Sequence, residues 1–116
     1  MTEGQTGMSV RRPTDGVSII DISGEITGAT EPELTAAFTE ASTDGVETVV
    51  LNFTDLAYMN SSGIGLLVTA LIRAQRQNQR LMAYGLTDHY RQIFSLTRLD
   101  EAIVIHDDEE SALQAA

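Results

Sequence analysis

Apolar positions along the chain switch between short β-rich runs and stretches spaced at helical intervals, and this alternation predicts the order of elements. "SVRRP" reads as a short edge strand ending at Pro13. The turn signal Thr14-Asp15-Gly16 leads into "GVSIIDIS", Gly16 to Ser23, giving an opening hairpin. Leu34, Ala37, Phe38 and Ala41 recur at helical spacing, with Thr30 and Glu33 placed as a capping box and Pro32 tolerated in the first turn. This helix is expected to run to about Ser42 and to end near Gly45. "VETVVLNF", Val46 to Phe53, has enough aliphatic side chains for a strand buried on both faces, and Thr54 to Tyr58 reads as a connection. A helix then begins near Ser61. Its apolar residues Ile64, Leu67, Val68, Leu71 and Ile72 form the stripe expected to face the core. On that wheel Leu66, Ala70 and Arg73 lie on the opposite side, so Leu66 is expected to be exposed or partly covered.

"RLMAYGL" is the next strand, "TDHYRQIFSLTRL" the next helix and "AIVIH" the last strand. "DDEESALQAA" closes the chain as a short helix with acids in its first turn, where the helix dipole favours them. Strands alternating with helices imply parallel pairing through right-handed crossovers. The expected fold class is α/β: one domain over residues 8–116, with a mostly parallel central sheet, an N-terminal hairpin strand and about four helices. Residues 1–7 are expected to be disordered.

Composition narrows the function classes. A chain of 116 residues with 42% hydrophobic composition supports one compact core rather than two. It holds no apolar run of membrane-spanning length, so membrane insertion is not expected. The start, MTEGQTGMSVRRPTDG, lacks the apolar segment of a signal peptide, which makes the cytoplasm the expected location. Without cysteine there is no disulfide, zinc-thiolate or thiol chemistry. His89 and His106 stand far apart and outside any ligand-spaced motif, so neither a metal nor another cofactor is expected. The net charge of −10 and the absence of lysine argue against nucleic acid. The charge is uneven, however. No acid lies between Leu56 and Thr87, while Arg73, Arg76 and Arg80 fall there, on a solvated face or in a zone an anionic group can approach.

The chemistry concentrates in "MNSSGIGLLV", Met59 to Val68, where a strand's carboxyl end passes into a helix, the usual ligand position of parallel sheets. Asn60 or Ser61 can cap the helix, and Gly63 and Gly65 allow close backbone approach. A nucleophile elbow requires glycine two residues either side of its serine; Ser61 has Met59 before it, and Ser62 has Asn60 before it and Ile64 after it. A phosphate-binding loop requires a lysine that the chain lacks. Catalysis by Ser62 with His89 has no recognisably spaced orienting acid, so no enzyme activity is expected. A third reading makes a serine the substrate. A phosphoryl group here brings about −1.5 to −2 charges to a helix start that tolerates them, so the consequence falls on whatever docks over the turn. Leu66, one turn away, is then a contact candidate.

Val49 to Val68, "VVLNFTDLAYMNSSGIGLLV", resembles the signature of the STAS domain, and in particular of the bacterial anti-sigma-factor antagonists, whose motif is Asp-Ser-Ser/Thr-Gly-Leu-Gly. "ISGEITGATEPEL" resembles the family's first strand-to-helix passage, and the order of elements agrees from about Val10 onward. The resemblance implies a partner switch. The unphosphorylated antagonist binds an anti-sigma factor that is also a serine kinase; the kinase phosphorylates and releases it, and a PP2C-like phosphatase resets the cycle. The implied acceptor is Ser61, with Ser62 as the alternative, and the implied contact residues are Thr27, Asn60, Ser62, Gly63 and Leu66. The free protein is expected to be a monomer. Asn60 stands where the family usually has Asp, and Thr27 where many members have another acid; both remove negative charge beside the serine. A constitutive STAS adaptor of a larger complex, such as a lipid-transport or stress-sensing assembly, with Ser61 only a cap, is the second reading.

Overall fold

The computed structural model describes residues 7–43 and 45–116. Its strands are β1 (Gly7–Thr14), β2 (Val17–Ile26), β3 (Thr48–Met59), β4 (Arg80–Tyr84) and β5 (Val104–His106). The helices are α1 (Glu31–Ala41), α2 (Ser61–Arg76), α3 (Asp88–Leu96) and α4 (Glu109–Ala115), with single 3-10 turns at Gly28–Thr30 and Leu99–Glu101. The sheet runs β1-β2-β3-β4-β5, with β1 antiparallel to β2 and every other pair parallel. The α/β fold with a mostly parallel sheet, an opening hairpin and four helices is therefore as expected. Gly16, at φ +79°, makes the hairpin turn, a conformation that glycine adopts at little cost. Of the segment expected to be disordered, residues 1–6 lie outside the described residues, and Gly7 pairs with Ser23 at the start of β1.

Side-chain alternation along the strands separates two apolar clusters. Ile20, Ile22, Val49, Leu51, Leu81 and Ala83 pack with Leu34 and Phe38 of α1, Leu67 and Ala74 of α2 and Phe94 of α3. Val17, Ile19, Val50, Met82 and Tyr84 point the other way, onto Ala112 of α4. Three helices thus cover one face, and a seven-residue helix covers part of the other.

On that second face Arg11 of β1 holds Asp21 through Nε and Nη2, at 2.5 and 2.9 Å, and reaches Glu109 of α4 at 2.9 Å. Tyr84 donates its hydroxyl to the same Glu109 oxygen at 2.9 Å, and Asn52 donates to Asp21 at 2.7 Å. The Arg11 hydrogen bonds hold both carboxyls below the usual carboxylate range. Burial, and then the bond to Glu109, push the Tyr84 phenol up to about 12.

Three local expectations need correction. Thr54 to Tyr58 is a continuation of β3 rather than a connection, because β2 also runs on to Ile26 and supplies partners: Ser23 opposite Asp55, Gly24 opposite Leu56 and Ile26 opposite Met59. Two register irregularities in this pairing break the two-residue alternation that would have marked a strand. The capping box lies one turn earlier than Thr30 and Glu33: Thr27 accepts from Ala29 N–H, and Thr30 Oγ1 accepts from Thr27 N–H at 3.0 Å. The inward face of α2 is Gly63, Leu67, Ala70 and Ala74. Val68 and Ile72, expected in the core, are exposed, and Ala70, expected outside, is buried.

Candidate functional site

The "NSSG" turn sits where β3 ends and α2 begins. Asn60 is the N-cap, and its side-chain oxygen accepts from the Gly63 N–H at 2.9 Å. The Asn60 N–H donates to the Ile26 carbonyl at 3.3 Å, which ties the turn to the end of β2. One residue before it, the Met59 N–H donates to the Tyr90 hydroxyl at 2.9 Å, a buried bond that reaches across from α3. The turn is therefore fixed from three elements.

Gly63 explains how closely α2 can approach. A Cβ built there would lie 2.2 Å from the Ile26 carbonyl oxygen and 2.9 Å from the Met59 side chain, so no other residue fits without moving the backbone. Gly63 is buried, and what it does at this site is admit the backbone of Ile26. A Cβ at Gly28 would meet that of Ser62 at 3.6 Å, which brings the Thr27-Gly28 turn beside the second serine.

Ser61 and Ser62 are both exposed, and among the described residues neither hydroxyl has a hydrogen-bond partner. The role of cap falls to Asn60, which leaves Ser61 free at the first position of the helix. Leu66 is half-buried and lines a cleft of about 50 Å³ between α1 and α2, with Leu34, Phe38, Ala70 and Arg73. Arg73 is engaged there, donating to Thr39 at 2.9 Å and lying 5.2 Å from the Phe38 ring centroid. No group of three potential metal ligands occurs among the described residues, and none of their helices is long and apolar enough to cross a membrane.

Chemically, the turn offers a primary hydroxyl in solvent on the N-terminal end of a 16-residue helix, with free backbone N–H groups and dipole favouring an anion. Tyr90 was not legible as part of this site, since nothing in "TDHYRQIF" ties its hydroxyl to a backbone N–H 31 residues earlier. The outward position of Val68 and Ile72 did have a signal. Gly63, Ala70 and Ala74 are small residues at helical spacing, as close packing of a helix on a sheet requires.

Residues 10–112 match the family model of the STAS domain. The "Anti-sigma-B factor antagonist" of Staphylococcus aureus is 28% identical over 91 residues, spanning 78% of this chain and 84% of that protein. An anti-sigma factor antagonist from Mycobacterium paratuberculosis superposes with a TM-score of 0.82 at 23% identity, covering 98% of this chain and 96% of its own. The Bacillus cell fate determinant SpoIIAA, solved in its phosphorylated form, superposes with a TM-score of 0.67 at 19% identity over 95% of this chain and all of its own.

Proposed function

The chain belongs to the STAS domain family, and from that premise we propose that it is an anti-sigma factor antagonist switched by phosphorylation of Ser61. Unphosphorylated, it binds a serine-kinase anti-sigma factor in the cytoplasm as a free monomer, over the start of α2. Thr27, Asn60, Ser62 and Leu66 border the contact, and Gly63 keeps the turn pressed on β2. The observation that carries this reading is the Ser61 hydroxyl, exposed and without a partner among the described residues, while Asn60 supplies the cap. Relatives named anti-sigma factor antagonists, and one such fold solved with phosphate attached, support it.

In the switching step the γ-phosphoryl of ATP passes to Ser61 Oγ. An O–P bond forms there, the bond to ADP breaks, and the hydroxyl proton passes to a base of the kinase. The product carries about −1.5 to −2 charges. At a helix N-terminus the domain tolerates that charge; a partner surface packed over it does not. A PP2C-like phosphatase then hydrolyses the ester.

The test is binding to the purified kinase with and without ATP. Ser61→Ala is expected to stay bound when ATP is added, and Ser61→Asp to bind at least about tenfold more weakly than wild type, a difference of ~1.4 kcal/mol. Equal affinity for wild type and Ser61→Asp refutes the switch and leaves the constitutive adaptor, in which Ser61 is only the first residue of a capped helix.

A further inference from the structure

The rotation of α2 on the sheet places Ser61 at one end of a line of solvent-facing residues. With Gly63, Leu67, Ala70 and Ala74 inward, successive steps of about 100° put Ser61, Gly65, Val68, Ile72 and Arg76 within roughly 50° of the outward direction. Val68 is 38% exposed and Ile72 44%, and they are two of the few large hydrophobic side chains left open among the described residues. A Cβ at Gly65 would meet nothing, so the surface between Ser61 and Val68 is flat backbone open to a partner atom. Arg76 closes the line. It is exposed and, unlike Arg73, has no ion pair or hydrogen-bonding partner among the described residues.

We propose that this side of α2, from Ser61 through Gly65, Val68 and Ile72 to Arg76, is one continuous docking stripe for the anti-sigma factor. The partner meets it with an apolar ridge that ends in a carboxylate about 22 Å from where Ser61 is received, the length of 15 helical steps. The inference rests on the proposed function and extends it to the chemistry of the partner's surface.

Charge selects the occupant. The chain carries −10 overall, yet α2 has no acidic residue, so a carboxylate docked along this helix meets no like charge on it. A second copy is the wrong occupant. Two antiparallel stripes would set Arg76 of each against the positive end of the other helix, with no acid on either to compensate. A partner with an apolar ridge and a terminal carboxylate satisfies both Val68 with Ile72 and Arg76.

The experiment is titration calorimetry of each serine-kinase anti-sigma factor encoded in the source genome, purified, against wild type, Ser61→Asp, Ile72→Asp, Arg76→Glu and the control Leu96→Asp. Leu96 is 77% exposed on α3, off the stripe. Circular dichroism and melting temperature show whether each variant keeps its fold. With the fold kept, Ile72→Asp is expected to weaken binding about tenfold or more, Arg76→Glu about tenfold with a reduced salt dependence, and Leu96→Asp not at all. Wild-type affinity for Ile72→Asp and Arg76→Glu, with Ser61→Asp impaired, overturns the stripe and leaves the switch standing. Loss at Ile72 and Arg76 with Ser61→Asp unimpaired supports the stripe and refutes the switch. Failure of every such kinase to bind wild type overturns both.

Discussion

Asn60 carries the local energetics of the site. Among the described residues its side chain is the one that caps α2, so Asn60→Ala is expected to cost about 1 kcal/mol in urea unfolding. Asn60→Asp keeps the accepting oxygen and is expected to change stability by only a few tenths of that. The substitution instead places a negative charge beside Ser61. Gly63 is less forgiving: with the Ile26 carbonyl at 2.2 Å from any added Cβ, Gly63→Ala either displaces α2 or loses at least about 2 kcal/mol in the same measurement. A cap at Asn60 or Ser61 is readable because capping depends on sequence-local chemistry, and the glycines at 63 and 65 mark a close backbone approach, but that the approach is to Ile26 of β2 is a tertiary contact no local pattern shows. The Thr27 and Thr30 box was placed a turn late, because "TGATEPE" holds two overlapping hydroxyl positions and only the 3-10 turn chooses between them.

Helix α2 shows why element order is easier to read than element orientation. Five aliphatic residues at helical spacing make a plausible core face, but a helix lies on the sheet by its smallest residues when the backbone of Ile26 must be accommodated. The same constraint that buries Gly63, Ala70 and Ala74 turns Val68 and Ile72 outward. The sequence pattern ends strand β3 at Phe53 for a different reason, since its pairing with β2 passes through two irregularities. What holds the end of that strand is Tyr90. Tyr90→Phe leaves the buried Met59 N–H without an acceptor and is expected to destabilise the domain by about 1–3 kcal/mol. Amide exchange at Met59 and Asn60 is expected to speed up more than exchange in β4. Unchanged exchange at Met59 would show that the Tyr90 bond does not fix the turn.

Across the whole molecule, the alternation of strands and helices made the α/β class legible, whereas the network on the second sheet face joins Arg11, Asp21, Asn52, Tyr84 and Glu109 from parts of the chain that no local pattern connects. It sets a pH dependence. Asp21 and Glu109 are held below their unfolded values, so the stability they contribute is present above about pH 4 and is lost as pH falls through their folded values. Tyr84 has the opposite sign: its contribution is present below about pH 10 and is lost as pH rises through its folded value of about 12. Acid titration followed by circular dichroism is expected to show a limb that Arg11→Ala flattens, with α4 loosening first; an unaltered limb in Arg11→Ala would remove the network as its cause. Ser61, by contrast, lies at the N-terminal end of α2, so its phosphorylation is expected to change partner affinity while leaving the melting temperature within a few degrees. The most direct measurement is intact-mass and peptide mass spectrometry of the protein purified from its native cells, with and without stress. One added phosphate is expected, located on Ser61, in a fraction of molecules that changes with conditions. Protein without phosphate under every condition, or with phosphate only on another residue, would contradict it.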